Sequence, residues 1–72
     1  MTGAELPDFV RDNIYSLPDA CRAKGLTYRQ LAELAQVDYA IVRGYARLEK
    51  HPANSYYNKL AKVFGWQRWV KR

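Results

Sequence analysis

Tyr39, Arg43 and Arg47 stand at i, i+4 and i+8, so on a helix they share one side. Such a stripe offers a phenol and two guanidinium groups to whatever lies outside. Arg43 can make the paired hydrogen bonds that guanine O6 and N7 accept. Tyr39 can donate to a phosphate or pack on a thymine methyl. Ala40 beside it is small enough to approach a thymine methyl, or to let the helix sit deep. Arg47, one turn further on, is better placed for phosphate, and Lys50 can flank a nucleic-acid backbone. A second set lies upstream, where Thr27, Tyr28 and Arg29 open another helix. Helix starts attract phosphate through free amides and the helix dipole. The plainer alternative for both sets is a solvated helix face with ordinary surface arginines, and for Tyr28 a partly buried ring.

Other chemistry has little to work with. The chain has one histidine, His51, and one cysteine, Cys21. His51 precedes a proline in a loop, and Cys21 lies on an apolar stripe. A surface histidine and a structural cysteine are therefore expected, not a nucleophile and its base. No His, Cys or carboxylate cluster has metal-ligand spacing. Gly3, Gly25, Gly44 and Gly65 are too scattered to cradle a phosphate. The reading is of a non-enzyme with no cofactor, no metal and no evident small-molecule ligand.

The stripes need helices to carry them. Thr27 can cap a helix whose third residue, Gln30, reaches back to the Thr27 amide, which is a capping box. Leu26 and Leu31 are placed for a hydrophobic staple across that cap. Leu31, Leu34 and Ala35 then form an i, i+3, i+4 apolar stripe. Gln36-Val37 breaks the period, and Asp38 suits the cap of a second helix. On that helix Ile41, Val42, Tyr45 and Leu48 fall on the arc opposite Tyr39, Arg43 and Arg47. A capped helix, a tight turn and a second helix with a basic outer face is the layout of a helix-turn-helix DNA reader. The motif spans about residues 27–48.

These residues resemble a known family. Leu26-Thr27-x-x-x-Leu31-Ala32, followed by Val37 and Val42, is similar to the helix-turn-helix of the Cro and phage-repressor (Xre-like) proteins. The similarity runs on into Pro52 and Lys59-Leu60-Ala61-Lys62-Val63-Phe64-Gly65-Trp66, which resembles that family's fourth helix and its Gly stop. It covers roughly residues 17 to 66. The resemblance implies a four- to five-helix, lambda-repressor-like all-α domain that binds duplex DNA, in a phage, plasmid or bacterial setting. It also makes a homodimer reading two half-sites an expectation. The chain departs from the pattern at several positions. Gln36 stands at the tight turn where the family most often has Gly. Tyr28 replaces a common Gln, Gly44 lies inside the reading helix, and Ala46-Arg47-Leu48 replaces the usual Glu-x-Gly ending.

At 72 residues, 49% of them hydrophobic, residues 1–72 are expected to form one small domain with a single core. No apolar run approaches the ~18 residues that span a bilayer. Met1-Thr2-Gly3-Ala4-Glu5 has neither the basic patch nor the apolar stretch of a secretory signal. A lone cysteine suits the reducing cytoplasm. The net charge is +5 and unevenly spread. Arg43, Arg47, Lys50, Lys59, Lys62, Arg68, Lys71 and Arg72 face only Asp38 and Glu49 after residue 36. A polyanion is the natural partner of that half, although a soluble surface alone would also account for it.

Around the motif, residues 1–6 read as a loose start and Pro7 can open a helix. Val10, Ile14, Leu17 and Cys21 form an amphipathic stripe interrupted by Pro18, so a kink or two helices meeting near Ser16-Leu17 is expected. Gly25 can stop the second of these. Glu49 to Ala53 reads as a loop. Asn54 or Ser55 can cap the last main helix, which Tyr56, Tyr57, Leu60, Ala61 and Phe64 turn toward the core. Trp66, Trp69 and Val70 recur at i, i+3, i+4, which predicts a short terminal helix. Arg68, Lys71 and Arg72 make a basic tail. The sequence thus points to sequence-specific binding of double-stranded DNA by a small transcriptional regulator, with Tyr39, Ala40 and Arg43 as the expected base-contacting residues. The alternative is a protein-interaction module in which Tyr28, Tyr39, Trp66 and Trp69 form an aromatic patch. Tight complexes insensitive to salt would mark it.

Overall fold

Pro18 divides the N-terminal apolar stripe into two helices, α1 (Asp8–Tyr15) and α2 (Leu17–Lys24), in the computed structural model, which describes residues 6–70. The proline sits in the first turn of α2, where its missing N–H is not needed. Three further helices follow: α3 (Tyr28–Ala35), α4 (Tyr39–Ala46) and α5 (Asn54–Phe64). The described residues are all-α, with no strand among them. The start expected for residues 1–6 lies, Leu6 apart, outside the described residues, as do Lys71 and Arg72 of the basic tail. No described helix is long and apolar enough to cross a membrane.

The core draws on every helix. Val10 and Ile14 of α1, Leu17 and Cys21 of α2, Leu31 of α3, Val42 and Tyr45 of α4, and Tyr57 and Leu60 of α5 are all buried. Helix α3 packs on both α4 and α5, and α4 also touches α1 and α2. Burying each large side chain contributes about 1.5–3 kcal/mol, so a few such contacts decide whether this small domain folds.

The start of α3 matches its sequence signal. Thr27 Oγ1 accepts the Gln30 N–H at 3.0 Å, and Gln30 Oε1 accepts the Thr27 N–H at 2.9 Å. The end of α3 turns at Gln36, which takes the left-handed conformation at φ 59°. That lets the Val37 N–H reach the Ala32 carbonyl at 3.0 Å, and the chain re-enters a helix after only three residues. Asp38 occupies the position before α4 but caps it through its backbone alone. Its carbonyl accepts from Ile41, while its side chain makes no capping bond.

Several sequence expectations are corrected here. Leu34 is 61% exposed, because the buried arc of α3 is centred on Leu31, Ala32 and Ala35 and leaves it at the edge. Leu48 is 56% exposed. Helix α4 stops at Ala46, so the helical progression that would bring Leu48 inward ends before reaching it. Leu48 instead adopts φ 60° and allows the Glu49 N–H to close on the Gly44 carbonyl at 2.8 Å. Neither Asn54 nor Ser55 caps α5; Ala53 holds the capping position without a side-chain bond.

Residues 66–70 form no helix. They run back along α5 as a strap. The Asn58 side chain both donates to the Trp69 carbonyl (2.9 Å) and accepts the Trp69 N–H (2.8 Å). Asn54 donates to the same carbonyl, which explains why it does not cap. Tyr57, fully buried, donates its hydroxyl to the Gln67 carbonyl at 2.8 Å and accepts from the Asn13 amide at 3.0 Å. Its ring stacks on Trp66 (5.9 Å between centroids) and meets Trp69 and Phe9 edge-on. Burial raises the Tyr57 phenol above the ordinary value of 10.0, an effect the Asn13 bond opposes.

Two variants test this account. Tyr57→Phe keeps the ring but leaves the Gln67 carbonyl and the Asn13 amide without their partner, so chemical denaturation should show a loss of about 1–3 kcal/mol. Gln36→Gly removes the cost of a side chain in the left-handed region. It should stabilise the domain by up to ~1 kcal/mol, since part of the gain is lost to the freer unfolded chain. A thermal melt reads that as a rise of a few degrees.

Candidate nucleic-acid interface

The exposed side of α4 carries the residues that the sequence singles out. Tyr39, Ala40 and Arg43 are exposed, while Val42, Gly44 and Tyr45 of the same helix are buried. The division follows from α4 packing on α1, α2 and α3 through one side. Arg47, just past the helix end, is also exposed and pairs with Glu49 at 3.2 Å. Exposed pairs of this kind contribute only ~0–1 kcal/mol, so a phosphate can displace Glu49 from Arg47 at little cost.

The start of α3 stands against the start of α4. The Arg29 guanidinium lies over the Tyr39 ring, 4.7 Å from its centroid. This cation–π contact joins the two helices across the turn and limits the freedom of both long side chains before any ligand arrives. The capping box uses the Thr27 and Gln30 amides. The backbone N–H groups of Tyr28 and Arg29 remain without a bond partner among the described residues. They are the first-turn donors that a phosphate oxygen can accept from. Thr27 is exposed, and Tyr28 is half-buried against the core.

Gly44 and Lys50 meet in a way the sequence did not disclose. A Cβ placed on Gly44 would lie 2.6 Å from Lys50 Cδ. The bare glycine face is thus covered by the lysine stem, and the loop after α4 folds back on the helix there. The loop is fastened again by Tyr45, whose hydroxyl accepts the Ala53 N–H at 3.0 Å. Burial raises the Tyr45 phenol above 10.0, with the Ala53 bond opposing and Tyr56 adding to the rise. Lys50 itself remains exposed.

The structure therefore brings together Arg29 with Tyr39 and Gly44 with Lys50, and leaves Ala40, Arg43 and Arg47 along the exposed side. Trp66 and Trp69 go elsewhere, onto Tyr57. Cys21 is buried, and burial raises its thiol above 9.0, the opposite of what a thiolate nucleophile needs. His51 is exposed. Among the described residues no group of His, Cys, Asp and Glu side chains is arranged to hold a metal ion.

Compared with protein-family models, curated proteins and solved structures, the chain matches none.

Gly44→Ala separates packing from backbone preference. Alanine gains about 1 kcal/mol over glycine within a helix, and the lysine stem that it meets is flexible. The expected melting temperature is unchanged or higher, with Lys50 displaced. A fall of several degrees would show that the stem is held fast over Gly44.

Proposed function

We propose that the domain is a sequence-specific reader of double-stranded DNA and acts as a small transcriptional regulator. The observation that carries this reading is the joining of two DNA-suited surfaces by the Arg29–Tyr39 contact at 4.7 Å. Behind it stand the Tyr28 and Arg29 amides, which suit a phosphate. Beside it runs the exposed row of Tyr39, Ala40 and Arg43, which suits the edges of bases in the major groove. The mechanism has three parts. The basic second half draws the domain to the duplex. Phosphates bind at Thr27, Tyr28 and Arg29, and at Arg47 and Lys50, which sets the angle of α4. Arg43 then reads guanine, while Tyr39 and Ala40 contact neighbouring base edges or methyl groups.

The likeness to Cro and phage-repressor proteins supports the same function and suggests a repressor in the cytoplasm of a bacterium, or one encoded by a phage or plasmid. It also suggests a homodimer, which would place two α4 helices about one DNA turn apart. The aromatic-patch alternative is weakened by the strap, because two of its four rings, Trp66 and Trp69, are engaged with Tyr57.

Selection from random duplexes at two salt concentrations, followed by sequencing, tests the proposal. An enriched site is expected, with affinity falling steeply as salt rises. Arg43→Ala should cost about 1–3 kcal/mol on that site and relax one base position. Equal loss on all sequences would reduce Arg43 to a phosphate contact. No retention at low salt would overturn the function.

A further inference from the structure

An open groove of about 900 Å³ runs between the end of α2, the end of α3 and the outer side of α5. Leu26, Leu34 and Val63 line it, and Lys24, Lys59 and Lys62 stand around it. No carboxylate belongs to its lining among the described residues. Leu34 is the telling member. It lies within the apolar stripe of α3, yet it is 61% exposed. The position is about 10 Å along the helix from Thr27, so it belongs to the other end of α3 from the amides suited to phosphate. A DNA backbone has no use for an exposed leucine flanked by a half-buried leucine and valine.

From this chemistry we infer that the groove is a docking site for an acidic amphipathic segment of a partner protein. The partner would place one or two large apolar side chains against Leu34 and Val63, with Asp or Glu on either side to meet Lys24, Lys59 and Lys62. Charge decides the occupant. Three lysines without a carboxylate repel a second copy of the same surface, so a symmetric self-contact through this groove is disfavoured. The groove's volume falls in the range of small-molecule sites, but such sites bury most of their ligand. This one is open along its length, which suits a peptide laid across it with its apolar face inward. The site adds a protein partner to a domain whose other face is read as a DNA surface, and it does not depend on that reading.

The test is a selection from a displayed library of random twelve-residue peptides, with the Leu34→Asp/Lys62→Glu variant as the counter-target. Leu34 and Lys62 are both exposed, and circular dichroism checks that the variant folds. Enriched peptides are expected to combine carboxylates with Leu, Phe or Trp anchors. They should bind the single variant Leu34→Asp about tenfold more weakly or worse, lose affinity with added salt, and shift the NMR signals of Leu34, Val63 and Lys62. Binding of duplex DNA by Leu34→Asp should be unchanged. Failure to enrich any peptide over the counter-target would overturn the inference. So would enrichment of acidic peptides without apolar anchors, which would show attraction to charge alone. Shifts of the same signals by decanoate, with none by any peptide, would overturn it in favour of a small amphiphile.

Discussion

Helices α1 to α4 have eight residues each, well below the ~12–15 at which an isolated helix begins to hold in water. None can exist without its neighbours, so the way each ends matters as much as the face it buries. At Gly25, Gln36, Leu48 and Gly65 the chain turns through a left-handed residue. At each, an N–H just beyond the helix then bonds back to a carbonyl of its last turns. These stops satisfy carbonyls that would otherwise be orphaned, and they reverse the chain within a residue or two. That is what allows five helices to share one core in so short a chain.

The same shortness shapes the candidate DNA surface. A helix of two turns can present only a few residues outward, and on α4 those are Tyr39, Ala40 and Arg43. Their positions are set from both sides. Arg29 holds Tyr39 from α3, while Lys50 folds over Gly44 from the loop beyond. Two of the stops that frame this helix, at Gln36 and Leu48, use residues with side chains where glycine fits best. Helix α4 is therefore met by contacts from both neighbouring segments as well as by its own ends.

Much of this was legible in the sequence, and the reasons for the exceptions are physical. The capping box, the division at Pro18 and the turn at Gln36 are local and follow from neighbouring residues. Leu48 misled because periodicity assumes that the helix continues, and α4 had already stopped. Leu34 misled because a stripe gives a face but not its width; what covers α3 is set by α4 and α5. The Trp66, Trp69, Val70 spacing suits a helix equally well, but Asn58 supplies both backbone bonds that Trp69 needs in an extended chain. The contacts of Arg29 with Tyr39 and of Lys50 with Gly44 join residues on different elements, and no local pattern encodes them. The exposed row of α4 was legible because it needs only the helix and its buried side.

The strap over α5 also sets an order of events. A ribosome delivers the chain from its N-terminus, at about 5–20 residues per second. Helix α1 and α5 can approach as soon as residue 64 is free of the exit tunnel, but at that moment the Tyr57 hydroxyl has the Asn13 amide to accept from and lacks the Gln67 carbonyl to donate to. Gln67 and Trp69 complete that arrangement. The core is thus sealed by residues that emerge after the last helix, and a nascent chain halted before residue 69 would hold its helices loosely, open to proteases and chaperones.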